Sequence, residues 1–153
     1  MGARGIGRAL MPIRIEGRQD GAGVIYHCHG DMTIDDFFQA GIGFLAFPEE
    51  IKKWRYAIID LTSVGAMKIN SDDIRTVVEQ NKRIAVLAIP GAILAVASPR
   101  DLGFGLSRIW EVLMEQIGWE TMTFRSRPEA EAWIRQRAKQ KFDLEVPLAN
   151  SAP

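Results

Sequence analysis

The sequence predicts an α/β fold with a mostly parallel five-stranded sheet and an N-terminal antiparallel hairpin, in the order ββαβαβαβα. Three features predict this class. Short apolar runs alternate with longer segments of helical period from residue 33 onward. The run ILAVA at 93–97 is apolar throughout, as in a parallel strand covered on both faces. Two alternating runs joined by an Asp-Gly turn precede the first helical segment, which indicates a hairpin.

The hairpin pairs a strand at residues 12–18 with a second strand at residues 23–29. A side-chain period of two divides the second strand between two faces of the sheet. One face carries Val24, Tyr26 and Cys28, and the other carries Ile25, His27 and His29. We expect Gly30-Asp31 to end this strand, because glycine and aspartate together favour a turn.

Four helices are expected, each beginning at a residue that can cap a helix N-terminus. The expected caps are Thr33, Ser71, Asp101 and Ser126. Helical spacing predicts that the first helix buries Ile34, Phe37, Phe38, Ile42 and Leu45. The same spacing assigns Ile74, Val77, Val78, Ile84 and Ala85 to the inner face of the second helix, with the polar Asn81 at the edge. The last helix is expected to end near Gln140.

Two segments are predicted to be irregular connections. Pro48 and the charged run EEIKK carry the chain from the first helix to a strand at 56–61, and TSVGAMKIN then forms a loop. No internal repeat or long linker divides the chain, so one domain is expected over residues 12–140. A flexible lead-in at 1–11 and a loose tail at 141–153 would flank it.

The charge balance limits the classes of partner. Nineteen basic and nineteen acidic side chains give a net charge of zero, so no basic surface for nucleic acid or for an anionic membrane is expected. A zero balance favours self-association, and a homodimer is predicted. The single cysteine excludes an intramolecular disulfide and a four-cysteine zinc site. The absence of an intramolecular disulfide is typical of a cytoplasmic protein, so a cytoplasmic location is expected. No apolar run is long enough to span a membrane, and no cofactor is expected.

Three stretches resemble a known family. YAIIDLTSV at 56–64 is similar to the strand and loop in which STAS domains place an Asp-Leu-Ser sequence. The segment DLGFGLSR at 101–108 resembles the D-L-x-F-G-L-x-R turn of the bacterial SpoIIAA-like group. Phe124, Arg125, Glu129, Ala130 and Trp133 resemble the closing pattern of that group. Over about residues 22–137, the chain therefore resembles a STAS-like domain of the SpoIIAA-like type.

The resemblance implies a regulatory or protein-interaction module without catalytic activity. In STAS-type anti-sigma-factor antagonists, a partner kinase phosphorylates a serine at the start of the helix after this strand and loop. Ser71 is the nearest match, preceded by Asn70 where the family has an acid. A phosphate there would gain from the helix dipole, but Asp72 and Asp73 would repel it. The alternative is that Ser71 is a plain helix cap.

Two further groups are candidate sites. His27, His29 and Asp31 share one strand face and could bind a divalent metal ion, although same-face neighbours lie ~7 Å apart. The second group lies at the turn between the strand at 93–97 and the following helix, where open α/β sheets bind ligands. It consists of Ser98, Arg100, Asp101, Gly103, Gly105 and Arg108. Backbone N–H groups and an arginine there could hold an anion.

Three functions follow, in order of preference. The first is a non-enzymatic module that binds a protein partner or a second copy of itself. The second is a carrier or sensor that binds an anion or an apolar ligand at residues 98–105, with a pocket beneath Phe104 and Trp110. The third is a metal-dependent enzyme that uses the two histidines and Asp31.

Overall fold

The five strands form one sheet in which neighbours in sequence are also neighbours in space, in the order β1-β2-β3-β4-β5. The structure is a computed structural model that describes residues 12–147, so the predicted lead-in and residues 148–153 of the predicted tail lie outside it. The strands are β1 (Ile13–Gly17), β2 (Gly23–Thr33), β3 (Tyr56–Lys68), β4 (Ile93–Ala97) and β5 (Glu120–Phe124). β1 and β2 are antiparallel, and all other neighbouring pairs are parallel. The predicted α/β class and the N-terminal hairpin are confirmed.

Five α-helices accompany the sheet in the described residues. They are α1 (Ile34–Leu45), α2 (Pro48–Lys53), α3 (Ser71–Leu87), α4 (Asp101–Met114) and α5 (Arg127–Phe142). Side chains of α1, α3 and α4 pack into one core with one face of the sheet, and α5 packs against the other face. Because successive parallel strands lie side by side and their crossovers keep one hand, the crossover helices fall on the same face. No helix between residues 12 and 147 has the length and apolarity needed to cross a membrane.

β2 and β3 are longer than the sequence predicts. β2 does not end at Gly30-Asp31, and the first seven residues of the predicted loop after Leu61 continue β3 alongside it. The pairing register shifts between His27 and His29 and again between Gly30 and Met32. Each shift breaks the period of two on which strand prediction rests, so these extensions carry no regular alternation.

Helix boundaries and faces also depart from prediction at specific residues. Pro48 opens α2 where an irregular connection was expected, and its Ile51 is fully buried. In α1 the buried residue is Gly41, whereas Ile42, predicted as core, is 55% exposed. The missing Cβ of Gly41 admits the side chain of Gln80 from α3, which sets the face that α1 turns inward.

Two of the four predicted helix caps are correct. Thr33 forms a capping box with Asp36, and the Ser126 hydroxyl accepts a hydrogen bond from the backbone N–H of Glu129. Asn70 caps α3 in place of Ser71, and Arg100 occupies the cap position of α4 in place of Asp101. Both predictions missed by one residue because Ser71 and Asp101 already adopt helical geometry.

Candidate functional site

A cavity of about 90 Å³ opens among α1, α3 and α4 at the carboxyl ends of β3 and β4. We call it the inner cavity. Its walls are the apolar side chains of Ile34, Phe37, Ile59, Leu61, Met67, Ile69, Ile74, Val77, Val96, Leu106 and Trp110, together with Gly103. Ligands of open α/β sheets bind at this end of the strands, so the position is a favourable one for a site.

Two polar side chains interrupt the apolar wall of the inner cavity. Asn81 on α3 accepts a hydrogen bond from Trp110 Nε1 at 2.9 Å through its Oδ1. Its amide NH2 has no partner among residues 12–147 and is free to donate. Ser107 on α4 donates to the carbonyl oxygen of Gly103 at 2.8 Å, which leaves its hydroxyl oxygen free to accept. The inner cavity therefore offers one donor and one acceptor within an apolar surface.

A second cavity of about 290 Å³ adjoins the first, and we call it the outer cavity. Leu61, Met67 and Gly103 line both cavities. The remaining wall of the outer cavity is formed by Val64, Gly65, Ala66, Ser98, Arg100 and Leu102. The shared residues make the two cavities neighbouring compartments, an apolar one inside and a more polar one outside.

The approach of Ser98 to Gly103 shapes the wall between the compartments. A Cβ atom on Gly103 would lie 2.5 Å from Ser98 Oγ, closer than real Cβ contacts allow. Glycine at this position thus lets the first turn of α4 approach the end of β4. Gly105 is different, because a Cβ there would meet nothing within 4 Å.

The N-terminus of α4 lacks a side-chain cap. Arg100 donates to the carbonyl oxygen of Gly65 at 2.7 Å and so crosses to the end of β3. Arg125 lies over the Phe104 ring, 4.0 Å from its centroid, and donates to Asp101 Oδ1 at 2.8 Å. Phe104 therefore turns toward β5, and of the two aromatic residues expected over a pocket, Trp110 lines it and Phe104 does not.

Three residues of the predicted group at the α4 turn meet at one site. Ser98, Arg100 and Gly103 line the outer cavity. Asp101, Gly105 and Arg108 are exposed and line neither cavity. The helix period explains why these two sets of residues differ. Asp101, Gly105 and Arg108 have spacings of four and three residues, so they share the side of α4 that faces away from the strand ends.

The second predicted group does not converge. Within residues 12–147, no three His, Cys, Asp or Glu side chains are placed to hold a metal ion. His27 Nε2 lies 2.7 Å from Glu16 Oε1 on β1, while Asp31 Oδ1 accepts from the backbone N–H of Ala66 at 2.9 Å. The pairing register of β2 with β3 also shifts between His27 and His29.

Ser71 and Cys28 lie apart from the cavities. Ser71 is an exposed first residue of α3, and the capping groups at that terminus are already provided by Asn70 and Asp73. Cys28 is buried in the core opposite His27, as alternation predicts. Burial raises the pKa of the Cys28 thiol, so the neutral and weakly nucleophilic form dominates.

Sequence reasoning missed most of the inner cavity. The sequence indicates Asn81 as a polar residue at the edge of an apolar stripe, and such an interruption is the one available signal of a polar group in a pocket. Met67 was placed in a loop, although it belongs to the extended β3. Side chains from α1 could not be assigned to a wall without the packing of α1 on α3.

The chain matches no protein-family model, no curated protein and no solved structure. The resemblance to STAS-like domains, with the regulatory role that it implies, therefore stays a prediction from the sequence.

Proposed function

We propose that this protein is a binding protein without catalytic activity and that it holds a small, mainly apolar molecule in the inner cavity. The supporting observation is the wall of that cavity, where apolar side chains surround one free donor, on Asn81, and one free acceptor, on Ser107. An apolar cleft with few polar groups is the usual form of a small-molecule site.

The chemistry of the wall supports binding over turnover. No titratable side chain lines the inner cavity in the described part of the chain. General acid–base and nucleophilic catalysis need such groups within hydrogen-bond reach of a substrate. Burial of a ligand between α1, α3 and α4 would couple occupancy to the packing of these three helices, which suits a carrier or a sensor.

A neutral probe tests this proposal. We expect 1-hexanol to shift the backbone NMR signals of residues around the inner cavity, and to do so in a saturable manner. Ser107→Leu should abolish the shifts, because the added side chain occupies the cavity. The Ser107 hydroxyl bonds only within its own helix, so this change leaves no other group without its partner.

Val112→Leu is the matched control, since it adds bulk to the exposed side of the same helix and should leave binding unchanged. If 1-hexanol produces no saturable shifts in the unmodified protein, or binds equally well to Ser107→Leu, the inner cavity is not a binding site.

A second candidate function is self-association through one flank of α4. Leu102, Ile109 and Val112 are exposed on this flank, and Val112 is 60% exposed. Their spacings of seven and three residues place them along one side of the helix. Because the net charge is zero, two copies of the chain do not repel each other electrostatically. We therefore take a second copy as the partner.

Sedimentation equilibrium tests this second candidate. A dimer should form in the unmodified protein and be weakened by Val112→Glu. Gln136→Glu adds the same charge at an exposed position of α5 and should leave the dimer intact. A monomer at micromolar concentration, or an equal effect of both variants, would contradict the assignment.

A further inference from the structure

We propose that the outer cavity binds the carboxylate of a short-chain acid whose apolar chain lies in the inner cavity. The inference rests on the proposed function and adds the ligand class. Three independent features of the outer cavity carry it: a serine hydroxyl that faces the cavity without a partner in the described chain, free backbone N–H groups, and a cation without a counter-charge.

The hydroxyl belongs to Ser98. This residue is 2% exposed, lines the outer cavity and approaches the first turn of α4 at Gly103. Its Oγ makes no hydrogen bond with any residue between 12 and 147, although its backbone N–H donates to Phe124 at 2.8 Å. The hydroxyl lines the outer cavity, so it can donate to an acceptor that is bound there.

The N–H groups belong to the first turn of α4. The first hydrogen bond within this helix runs from the Phe104 N–H to the Arg100 carbonyl at 2.9 Å. The N–H groups of the three preceding residues have no acceptor in the described chain, and no side chain caps them. The positive end of the helix dipole lies at the same point, which favours a bound anion.

The cation is Arg100. One of its terminal nitrogens donates to Gly65, and the guanidinium forms no ion pair within residues 12–147. Two carboxylates lie close by: Asp101 pairs with Arg125, and Asp31 accepts from Ala66 and pairs with Lys68 at 3.5 Å. One free cation beside two carboxylates suits a singly charged ligand better than a dianion such as a phosphate monoester.

The size of the inner cavity limits the chain of the ligand. Its 90 Å³ is less than the ~150 Å³ of an engineered cavity that admits benzene. A short chain that begins in the outer cavity therefore fits, and a long acyl chain does not. Leu61, Met67 and Gly103 border both compartments, so such a chain passes directly from the carboxylate site to the apolar wall.

The test compares three probes of equal chain length, hexanoate, 1-hexanol and hexyl phosphate, by calorimetric titration of the full chain at neutral pH. Hexanoate should bind more tightly than both other probes. Arg100→Gln should weaken hexanoate by about tenfold, the loss of one charge-assisted hydrogen bond, and leave 1-hexanol unchanged. Ser98→Ala should weaken hexanoate in the same selective way.

Arg108→Gln is the matched control, because it removes the same charge from an exposed position of α4 outside both cavities. If hexanoate binds no better than 1-hexanol, or Arg108→Gln weakens it as much as Arg100→Gln does, the carboxylate site is refuted while the proposed function stands. Tighter binding of hexyl phosphate would refute the choice of a monoanion. Failure of 1-hexanol and hexanoate alike would refute both proposals.

Discussion

The two glycines of α4, Gly103 and Gly105, differ in how closely a neighbouring side chain approaches their backbone. Gly103→Ala places a Cβ 2.5 Å from Ser98 Oγ, so either the Ser98 side chain or the first turn of α4 must shift. We expect this variant to lower the free energy of unfolding by about 1–3 kcal/mol, the usual cost of overpacking. Urea denaturation measures the change.

Gly105→Ala is the control for this prediction. The new Cβ meets no atom within 4 Å, and alanine is a better helix former than glycine. The free energy of unfolding should therefore rise by about 0.5–1 kcal/mol. Equal changes for the two variants would show that helix propensity alone, and not the contact with Ser98, decides the role of Gly103.

A pair of charged residues on the opposite side of the sheet makes stability depend on pH. Arg127 on α5 donates to Asp60 Oδ2 at 2.7 Å. Burial opposes ionisation of Asp60, but hydrogen bonds from Thr62 and from the Arg127 guanidinium outweigh it and hold the pKa of Asp60 below its ordinary value of 3.8. Since folding lowers this pKa, the stabilisation is complete above pH ~4 and is lost as the pH falls through the folded value.

We expect Asp60→Asn to lower the free energy of unfolding by about 1–3 kcal/mol at neutral pH, because it removes a charged hydrogen-bond acceptor. The difference from the unmodified protein should shrink as the pH falls below ~4 and through the lower pKa of the folded state, beneath which Asp60 is neutral in both states. Denaturation at a series of pH values provides the measurement.

Asp72→Asn is the matched control at an exposed carboxylate and should change stability by less than about 0.5 kcal/mol. A deficit of Asp60→Asn that stays constant down to the most acid pH would contradict an electrostatic origin.

For single residues, the sequence predicts where the site lies better than it predicts which residues form it. It places Ser98, Arg100 and Gly103 together because a turn between a parallel strand and a helix lies at the ligand-binding edge of a sheet. It cannot distinguish Gly103 from Gly105, since only the packing of α4 against β4 decides which Cβ would collide. Asn81 faces Trp110 across two helices, and that pairing has no local signal.

The N-terminus of α3 provides a test at the scale of a single element. Asn70 Oδ1 accepts from the Asp73 N–H at 2.9 Å, and Asp73 Oδ2 accepts from the Asn70 N–H at 3.0 Å. We expect Asn70→Ala to lower the free energy of unfolding by about 1 kcal/mol, whereas Ser71→Ala should change it by less than about 0.5 kcal/mol. Thermal and urea denaturation of both variants measure the difference.

The reverse order of effects would restore Ser71 as the functional cap of α3. The distinction bears on the predicted phosphorylation as well, because the capping box already occupies two of the groups at this helix terminus. A phosphate on Ser71 would compete with Asp73 for them.

Elements were predictable where their period is regular. Val24 to Cys28 alternates as a strand, and α3 carries apolar residues at helical spacing, so the existence of both follows from pattern alone. The extension of β3 does not, because its register with β2 shifts twice. α2 has only six residues and one fully buried side chain, Ile51, so its apolar pattern is too short to detect from the sequence.

At the scale of the whole molecule, the sheet is covered unequally. The four helices α1 to α4 protect one face, and α5 with the segment that follows it protects the other. The sequence predicts alternating strands and helices, but the spatial order of strands depends on how each crossover packs. The sequential order observed here is what gathers α1, α3 and α4 around one cavity and leaves a single helix on the opposite face.

The segment after α5 completes that opposite face. Val146 is 8% exposed and belongs to the core cluster that includes Ala22 and Ile25 of the hairpin region. The Arg18 guanidinium donates to the Pro147 carbonyl oxygen and to Glu16, which connects this segment to β1. The segment therefore covers the part of the sheet that α5 does not reach, although a loose tail was predicted from residue 141 onward.

Val146→Ala tests the contribution of this segment to the whole fold. Loss of two buried methyl-sized groups should lower the free energy of unfolding by about 1–2 kcal/mol. Glu145→Ala is the matched control: its side chain is 84% exposed and pairs with Lys139 at 3.2 Å, so its removal should cost less than about 0.5 kcal/mol. Equal, small effects of both changes would mean that α5 alone protects this face, and the closure of the sheet would then depend on one helix.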